Sequence, residues 1–138
     1  MSSPLNFPNH IAVESPGPIH SPLGIHVLLE CEQVAPERLT DPHLLEQVLR
    51  TAAHAAGATV IAAHLHHFGP QQGVTGVLLL QESHLSIHSW PEFGYAAVDI
   101  FLCGDCQPLR AVDILVTQLR PLAYRSTSIA RGPRNSPQ

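Results

Sequence analysis

Apolar and polar residues alternate along several short stretches of this chain, which is the pattern of half-buried β-strands. The clearest stretch is 84–90, where Leu85, Ile87 and Ser89 fall on one face and the residues between them fall on the other. By the same criterion, strands are predicted over 24–31, 58–68, 75–81, 95–103 and 123–130.

Two other segments have the i, i+3 and i+4 spacing of apolar residues that is typical of an amphipathic helix. The first is predicted to begin at Asp41, a capping side chain followed by Pro42, and to end at Gly57. The second is predicted to begin between Asp105 and Pro108. The order β-α-β-β-β-β-α-β, with short turns between strands, predicts an α+β two-layer sandwich. Its sheet is mainly antiparallel, with two helices on one face.

The two ends of the chain differ from this body. Residues 1–22 contain five of the 13 prolines, so we expect a Pro-rich tail that is disordered. Residues 132–138 have a similar composition, and we expect a flexible tail there. The sequence therefore predicts one folded domain over residues 23–131.

Composition and charge exclude several classes of protein. Hydrophobic residues make up 44% and charged residues 13%, which favours a folded domain over a disordered chain. The net charge of -4 gives no sign of a nucleic-acid partner. No apolar run reaches the roughly 18 residues of a membrane span, and no secretory signal is recognisable. Three cysteines, an odd number, favour a reducing compartment, so we expect a cytoplasmic protein.

The ten histidines raise the question of a metal site. His64, His66 and His67 lie on one predicted strand, and His84 and His88 lie on another. Histidines two apart on a strand share a face, as metal ligands must. No carboxylate completes a set of ligands, so we expect no metal ion.

Two further hypotheses concern the function of the chain. Cys103-Gly-Asp-Cys106 has the C-x-x-C spacing of zinc-binding and thiol-redox motifs, although a single pair is weak evidence. A small α+β domain can also serve only as a binding module or partner subunit, without chemistry of its own.

A longer pattern reads Glu82-Ser-His-Leu-Ser-Ile-His-Ser-Trp-Pro-Glu92 and continues in register to Gly104. It resembles the signature of the prokaryotic S-adenosylmethionine decarboxylase proenzymes. Residues 57–60 (Gly-Ala-Thr-Val) and 73–76 (Gly-Val-Thr-Gly) resemble that family at the expected distances. The similarity extends over about residues 24–119, and a joint match over so many positions is more specific than any short motif.

The resemblance implies that the chain cuts itself between Glu82 and Ser83, and that Ser83 becomes a covalent pyruvoyl group. That group forms a Schiff base with the amine of the substrate and withdraws electrons as carbon dioxide leaves. The family pattern implies that His88 is the proton acceptor during processing and that Thr75 supports it with a hydroxyl, where many relatives have serine. It also implies that Cys103 donates the proton that completes decarboxylation.

The resemblance further implies that Glu92 and the aromatic Phe68 bind the substrate, and that the protein is a homodimer with active sites near the subunit interface. The loop before Gly73 is one residue longer than the family pattern. S-adenosylmethionine is the expected substrate, and ornithine or arginine is the alternative on the same scaffold. A homologue that does not process itself and acts as a partner subunit is the alternative of another class.

One geometric problem accompanies these roles. Ser83 and His88 are five residues apart, and an odd separation on an unbroken strand puts two residues on opposite faces. A bend or bulge between them, or a strand that begins after Ser83, would bring them together.

Overall fold

The computed structural model of the protein describes residues 21–134, so most of both predicted tails lies outside the described residues. It contains six strands and two helices, with a short 3₁₀ turn before each of α1 and β5. The strands are β1 (Gly24–Glu32), β2 (Val60–His67), β3 (Val74–Leu80), β4 (Ser83–Trp90), β5 (Tyr95–Cys103) and β6 (Ala123–Arg131); the helices are α1 (Pro42–Ala55) and α2 (Pro108–Leu119).

The six strands form one sheet in the order β2-β3-β4-β5-β1-β6, and each neighbouring pair is antiparallel. Both helices pack on the same face of this sheet. The predicted two-layer α+β sandwich is therefore confirmed. The order of the strands places β1 between β5 and β6, a position that alternation along the sequence does not reveal.

The two helices begin differently. Asp41 caps α1 as predicted, because its side chain accepts hydrogen bonds from the backbone N–H groups of His43 (2.9 Å) and Leu44 (3.3 Å). The residue that precedes α2 is Gln107 rather than Asp105, and its side chain makes no capping hydrogen bond. Proline at the first position with its preset φ starts this second helix instead.

The core lies between the sheet and the helices. The alternation in β4 is confirmed, since Leu85 and Ile87 are fully buried and Ser89 is 6% exposed. The Ser89 hydroxyl donates to the carbonyl of Leu39 at 2.6 Å and accepts from the N–H of Val74 at 2.9 Å. These bonds explain how a polar residue can occupy a core position.

The other face of the sheet has no helix on it in the described part of the chain. We call it the open face. It carries polar and apolar side chains together, including the exposed apolar residues Leu79, Trp90 and Ile129. None of the helices within residues 21–134 is long and apolar enough to cross a membrane.

Candidate active site

The turn between β3 and β4 holds the bond that the sequence singles out for cleavage. Gln81 and Glu82 connect the strands, and Leu80 pairs directly with Ser83. Glu82 has a φ of 66°, in the left-handed region that costs a residue with a side chain about 1–2 kcal/mol. The bond predicted to be cut therefore follows a strained residue, and Ser83 is the first residue of β4.

Cys103 lies beside this turn, at the end of β5. Its Sγ donates a hydrogen bond to the carbonyl oxygen of Glu82, with an Sγ–O distance of 3.5 Å. Burial raises the pKa of the Cys103 thiol, the negative charge of Glu82 raises it further, and the charge of Arg131 opposes them. The thiol is consequently protonated at neutral pH, the state that a proton donor requires.

Gly24 provides the space for this thiol. It pairs with Cys103 across β1 and β5. A Cβ atom at position 24 would lie 3.0 Å from the Cys103 Sγ and 2.8 Å from the carbonyl oxygen of Leu102. The sequence predictions missed this role, and a glycine at the start of a strand is the signal that could have indicated it.

An open cleft runs along the turn on the open face. Its volume is about 530 Å³, and it is lined by Val77, Leu79, Glu82, Ser83, His84, Ser86 and Phe101. A second cavity of about 360 Å³ shares Glu82 and Phe101 with it and reaches Cys103. The sequence predictions also missed His84 and Phe101, which form a cross-strand pair next to Ser83.

The environment of His84 in this cleft disfavours its charged form. Burial lowers the pKa of His84, and the neighbouring His26 and Arg131 lower it as well, while Asp99 acts in the opposite direction. His84 is therefore neutral at pH 7. The guanidinium of Arg131 lies 5.1 Å from the centre of the Phe101 ring, a cation–π contact at the edge of the cleft.

Thr75 and His88 form a separate pair. They face each other across β3 and β4, and the Thr75 Oγ1 lies 3.1 Å from the His88 Nδ1. His88 is exposed on the open face, and its ring is 6.2 Å from that of Trp90. The hydroxyl fixes the direction of an imidazole that can exchange protons with a group placed opposite it.

Phe68 and Glu92 lie at the same end of the sheet as this pair. Phe68 is 61% exposed, and its ring packs edge-on against His66, the cross-strand partner of Thr75. Glu92 belongs to the 3₁₀ turn after β4 and lines a cavity of about 570 Å³. The same cavity is lined by Gln71, which belongs to the longer loop noted in the sequence.

The site residues thus fall into two groups on the sheet. Glu82, Ser83 and Cys103 form the cleavage cluster at one end of β4. The support cluster at the other end contains Thr75, His88, Phe68 and Glu92.

The two clusters are too far apart to meet within one chain. The pairing of β4 with β3 is continuous from Ser83 to His88, without the bulge or late start that would bring these residues together. Five residues of strand correspond to about 16 Å. One chain therefore holds both clusters but does not bring His88 to Ser83.

Neither a metal site nor a redox-active thiol pair has the arrangement it requires in the described residues. No three His, Cys, Asp or Glu side chains are grouped so as to hold a metal ion within residues 21–134. The Cys106 thiol donates to the carbonyl of Gly57 at 3.6 Å, and burial raises its pKa. A raised pKa is the opposite of what a reactive redox thiol needs.

The comparisons with known proteins agree with one another on one family. The chain matches the family model described as S-adenosylmethionine decarboxylase over residues 25–132. An S-adenosylmethionine decarboxylase proenzyme from Parasynechococcus marenigrum (strain WH8102) is 47% identical over 110 residues, which are 79% of this chain and 85% of that protein. The proenzyme of the same name from Methanococcus aeolicus is 42% identical over 111 residues, 80% of this chain and 94% of that protein.

A solved structure is similar as well. The crystal structure of the adenosylmethionine decarboxylase from Aquifex aeolicus VF5 superposes with a TM-score of 0.74 at 36% identity, covering 86% of this chain and 99% of that one. The family model spans nearly the whole of the folded domain, and the relatives match along most of their own lengths. The chain therefore belongs to the S-adenosylmethionine decarboxylase family.

Proposed function

We propose that this protein is a self-processing, pyruvoyl-dependent decarboxylase that converts S-adenosylmethionine to its decarboxylated form and carbon dioxide. The product is an aminopropyl donor for spermidine synthesis. One observation carries the proposal: at the Glu82–Ser83 bond, a strained residue and a protonated thiol donor meet beside a serine. The names of the relatives support S-adenosylmethionine over ornithine or arginine.

Self-processing would begin with the Ser83 hydroxyl. Its oxygen adds to the carbonyl carbon of Glu82, the C–N bond breaks, and an ester with a free amine results. The Cys103 thiol, already directed at that carbonyl oxygen, can stabilise the negative charge that develops on it.

Proton removal would complete the cut. A base takes the α-proton of Ser83, and the Cβ–O bond breaks, so that Glu82 leaves as a carboxylate. The remaining dehydroalanine takes up water and releases ammonia. The cut ends with Glu82 as the C-terminus of one fragment and a pyruvoyl group at position 83 of the other.

In the mature protein, the pyruvoyl group supplies the electron-withdrawing carbonyl that decarboxylation requires. The residues around position 83 fit such a group, because the cleft is open to substrate and the Cys103 thiol is held protonated beside it. Cys103 would deliver the final proton to the substrate carbon. Phe68 would stack on the adenine ring, and Glu92 would accept hydrogen bonds from the ribose hydroxyls.

The separation of the clusters supports a homodimer with composite sites. Two chains that stack their open faces around a two-fold axis would cover Leu79, Trp90 and Ile129. They would also bring the cleavage cluster of one subunit to the support cluster of the other. His88 of the partner subunit would then be the base for Ser83.

Co-expression of two inactive variants tests the composite site. Ser83→Ala and His88→Ala should each remain uncut when expressed alone. A mixed dimer holds one site with both Ser83 and His88, so the His88→Ala chain should be cut when the Ser83→Ala chain is present. Mass spectrometry distinguishes the chains. Co-expressed chains that stay uncut would contradict a site shared between subunits.

The intact mass of the purified protein tests the function itself. We expect two fragments, 1–82 and 83–138, the second lighter by one ammonia than a chain that starts with serine. The cut protein should release labelled carbon dioxide from carboxyl-labelled S-adenosylmethionine, and Ser83→Ala should release none. A single uncut chain after long incubation would contradict the proposal.

All three cysteines are unpaired thiols, which supports a cytoplasmic location.

A further inference from the structure

The atom that accepts the Cys103 hydrogen bond is the atom that self-cleavage changes. In the uncut chain this oxygen belongs to an amide, 3.5 Å from the Cys103 Sγ. In the cut protein of the proposed function, on which this inference rests, it belongs to a carboxylate. The cut therefore places a new negative charge beside the thiol that must later donate a proton.

We propose that the α-carboxylate of Glu82, created by the cut, accepts the hydrogen bond of the Cys103 thiol and holds that thiol protonated beside the second cavity, which Glu82, Phe101 and Cys103 line. Glu82 thereby becomes a positioning residue for Cys103 in the mature protein. A single self-processing event would create the pyruvoyl group and also the carboxylate that positions the proton donor Cys103.

The chemistry of the acceptor supports this role. A carboxylate only accepts hydrogen bonds, so it favours the S–H form over the thiolate. Hydrogen bonds to a charged acceptor are roughly twice as strong as those between neutral groups. Cys103 is only 6% exposed, so water competes little for its proton.

The new terminus is anchored close to its original place. The backbone N–H of Gln81, one residue before Glu82, donates to the carbonyl of Thr59 at 3.0 Å. Leu80 is 3% exposed and pairs with Val60 in the sheet. Cleavage breaks none of these contacts, so the carboxylate has only the torsions of Gln81 and Glu82 with which to move away.

Besides burial, two charged groups act on the pKa of the Cys103 thiol in the uncut chain. The negative charge of Glu82 raises this pKa, and the cation of Arg131 lowers it. Cys106 is affected in turn, because a negative charge on Cys103 raises the pKa of the Cys106 thiol. The cut changes neither side chain, so a change in the pKa of Cys103 on cleavage reports on the new carboxylate.

The test is the pH dependence of Cys103 alkylation by iodoacetamide, followed on the peptide that contains Cys103 by mass spectrometry. Both samples carry Cys106→Ser, and one of them also carries Ser83→Ala to keep the chain uncut. Cys31 is fully buried, and its pKa is raised to about 11, so it adds little background. We expect the midpoint of the rate to lie about one pH unit higher in the cut protein.

The possible results of this experiment distinguish a failure of the inference from a failure of the proposed function. An equal or lower midpoint in the cut protein would overturn the inference and leave the proposed function intact. A Cys106→Ser chain that is never cut would contradict the proposed function and the inference together. The pyruvoyl group itself is uncharged, so it adds no charge beside the thiol.

A second variant separates the two carboxyl groups of Glu82. In the uncut Ser83→Ala chain, Glu82→Gln removes the side-chain charge alone. We expect this change to lower the alkylation midpoint by less than cleavage raises it. A fall as large as that rise would assign the effect to the side chain and overturn a role for the new terminus.

Discussion

At the scale of single residues, the space around Cys103 is as important as its charge. The thiol can lie beside the Glu82 carbonyl because Gly24 has no side chain. Resemblance to a family predicts the candidate reactive residues from the sequence, but it does not predict their neighbours. Phe101 comes next to His84 and Ser83 only through strand pairing, and Arg131 reaches the Phe101 ring from another strand, which no local pattern encodes.

Gly24→Ala is expected to displace the Cys103 thiol. The added Cβ meets a backbone oxygen at 2.8 Å, which cannot move away freely, so overpacking should cost about 1–3 kcal/mol of stability. We expect kcat of decarboxylation to fall at least tenfold, measured as carbon dioxide release. Gly57→Ala is the control, because its φ of 84° strains a side chain but nothing lies within 4 Å of the new atom. If both variants lose the same activity, the space beside Cys103 is not the cause.

At the scale of elements, the sequence predicted nearly everything that local chemistry determines. The bounds of β5 agree with the prediction at both ends, and α1 has the predicted cap and stop. β4 begins one residue earlier than predicted, at Ser83. The reason is that Glu82 adopts a positive φ, so the turn closes within two residues.

The cap of α1 gives a test at this scale. Asp41→Ala removes the acceptor of two backbone N–H groups and should lower the free energy of unfolding by about 1 kcal/mol. Asp41→Asn keeps an acceptor and should change it by only a few tenths. Both are measured by denaturant unfolding in the uncut Ser83→Ala chain, since a single chain permits two-state analysis. Equal effects of the two substitutions would show that the cap contributes nothing.

At the scale of the whole molecule, the sequence did not predict how far apart the candidate site residues lie. The residues implied for processing were assigned to one site, yet the regular pairing of β4 keeps Ser83 and His88 about 16 Å apart. Side-chain alternation gives the face of each residue but not the partner that covers that face. The open face and its exposed apolar residues were visible only once the helices had been located on the other side.

The position of β1 between β5 and β6 affects whether the protein can refold after it is cut. If the chain is cut between Glu82 and Ser83, as we propose, β1 belongs to one fragment and both of its neighbours belong to the other, so the two polypeptides share one sheet. The precursor folds as one molecule, at a rate independent of its concentration. The cut pair would have to find each other again in solution. The precursor can therefore refold after it unfolds, whereas the cut protein cannot readily do so. The lifetime of the mature enzyme is then set by its rate of unfolding.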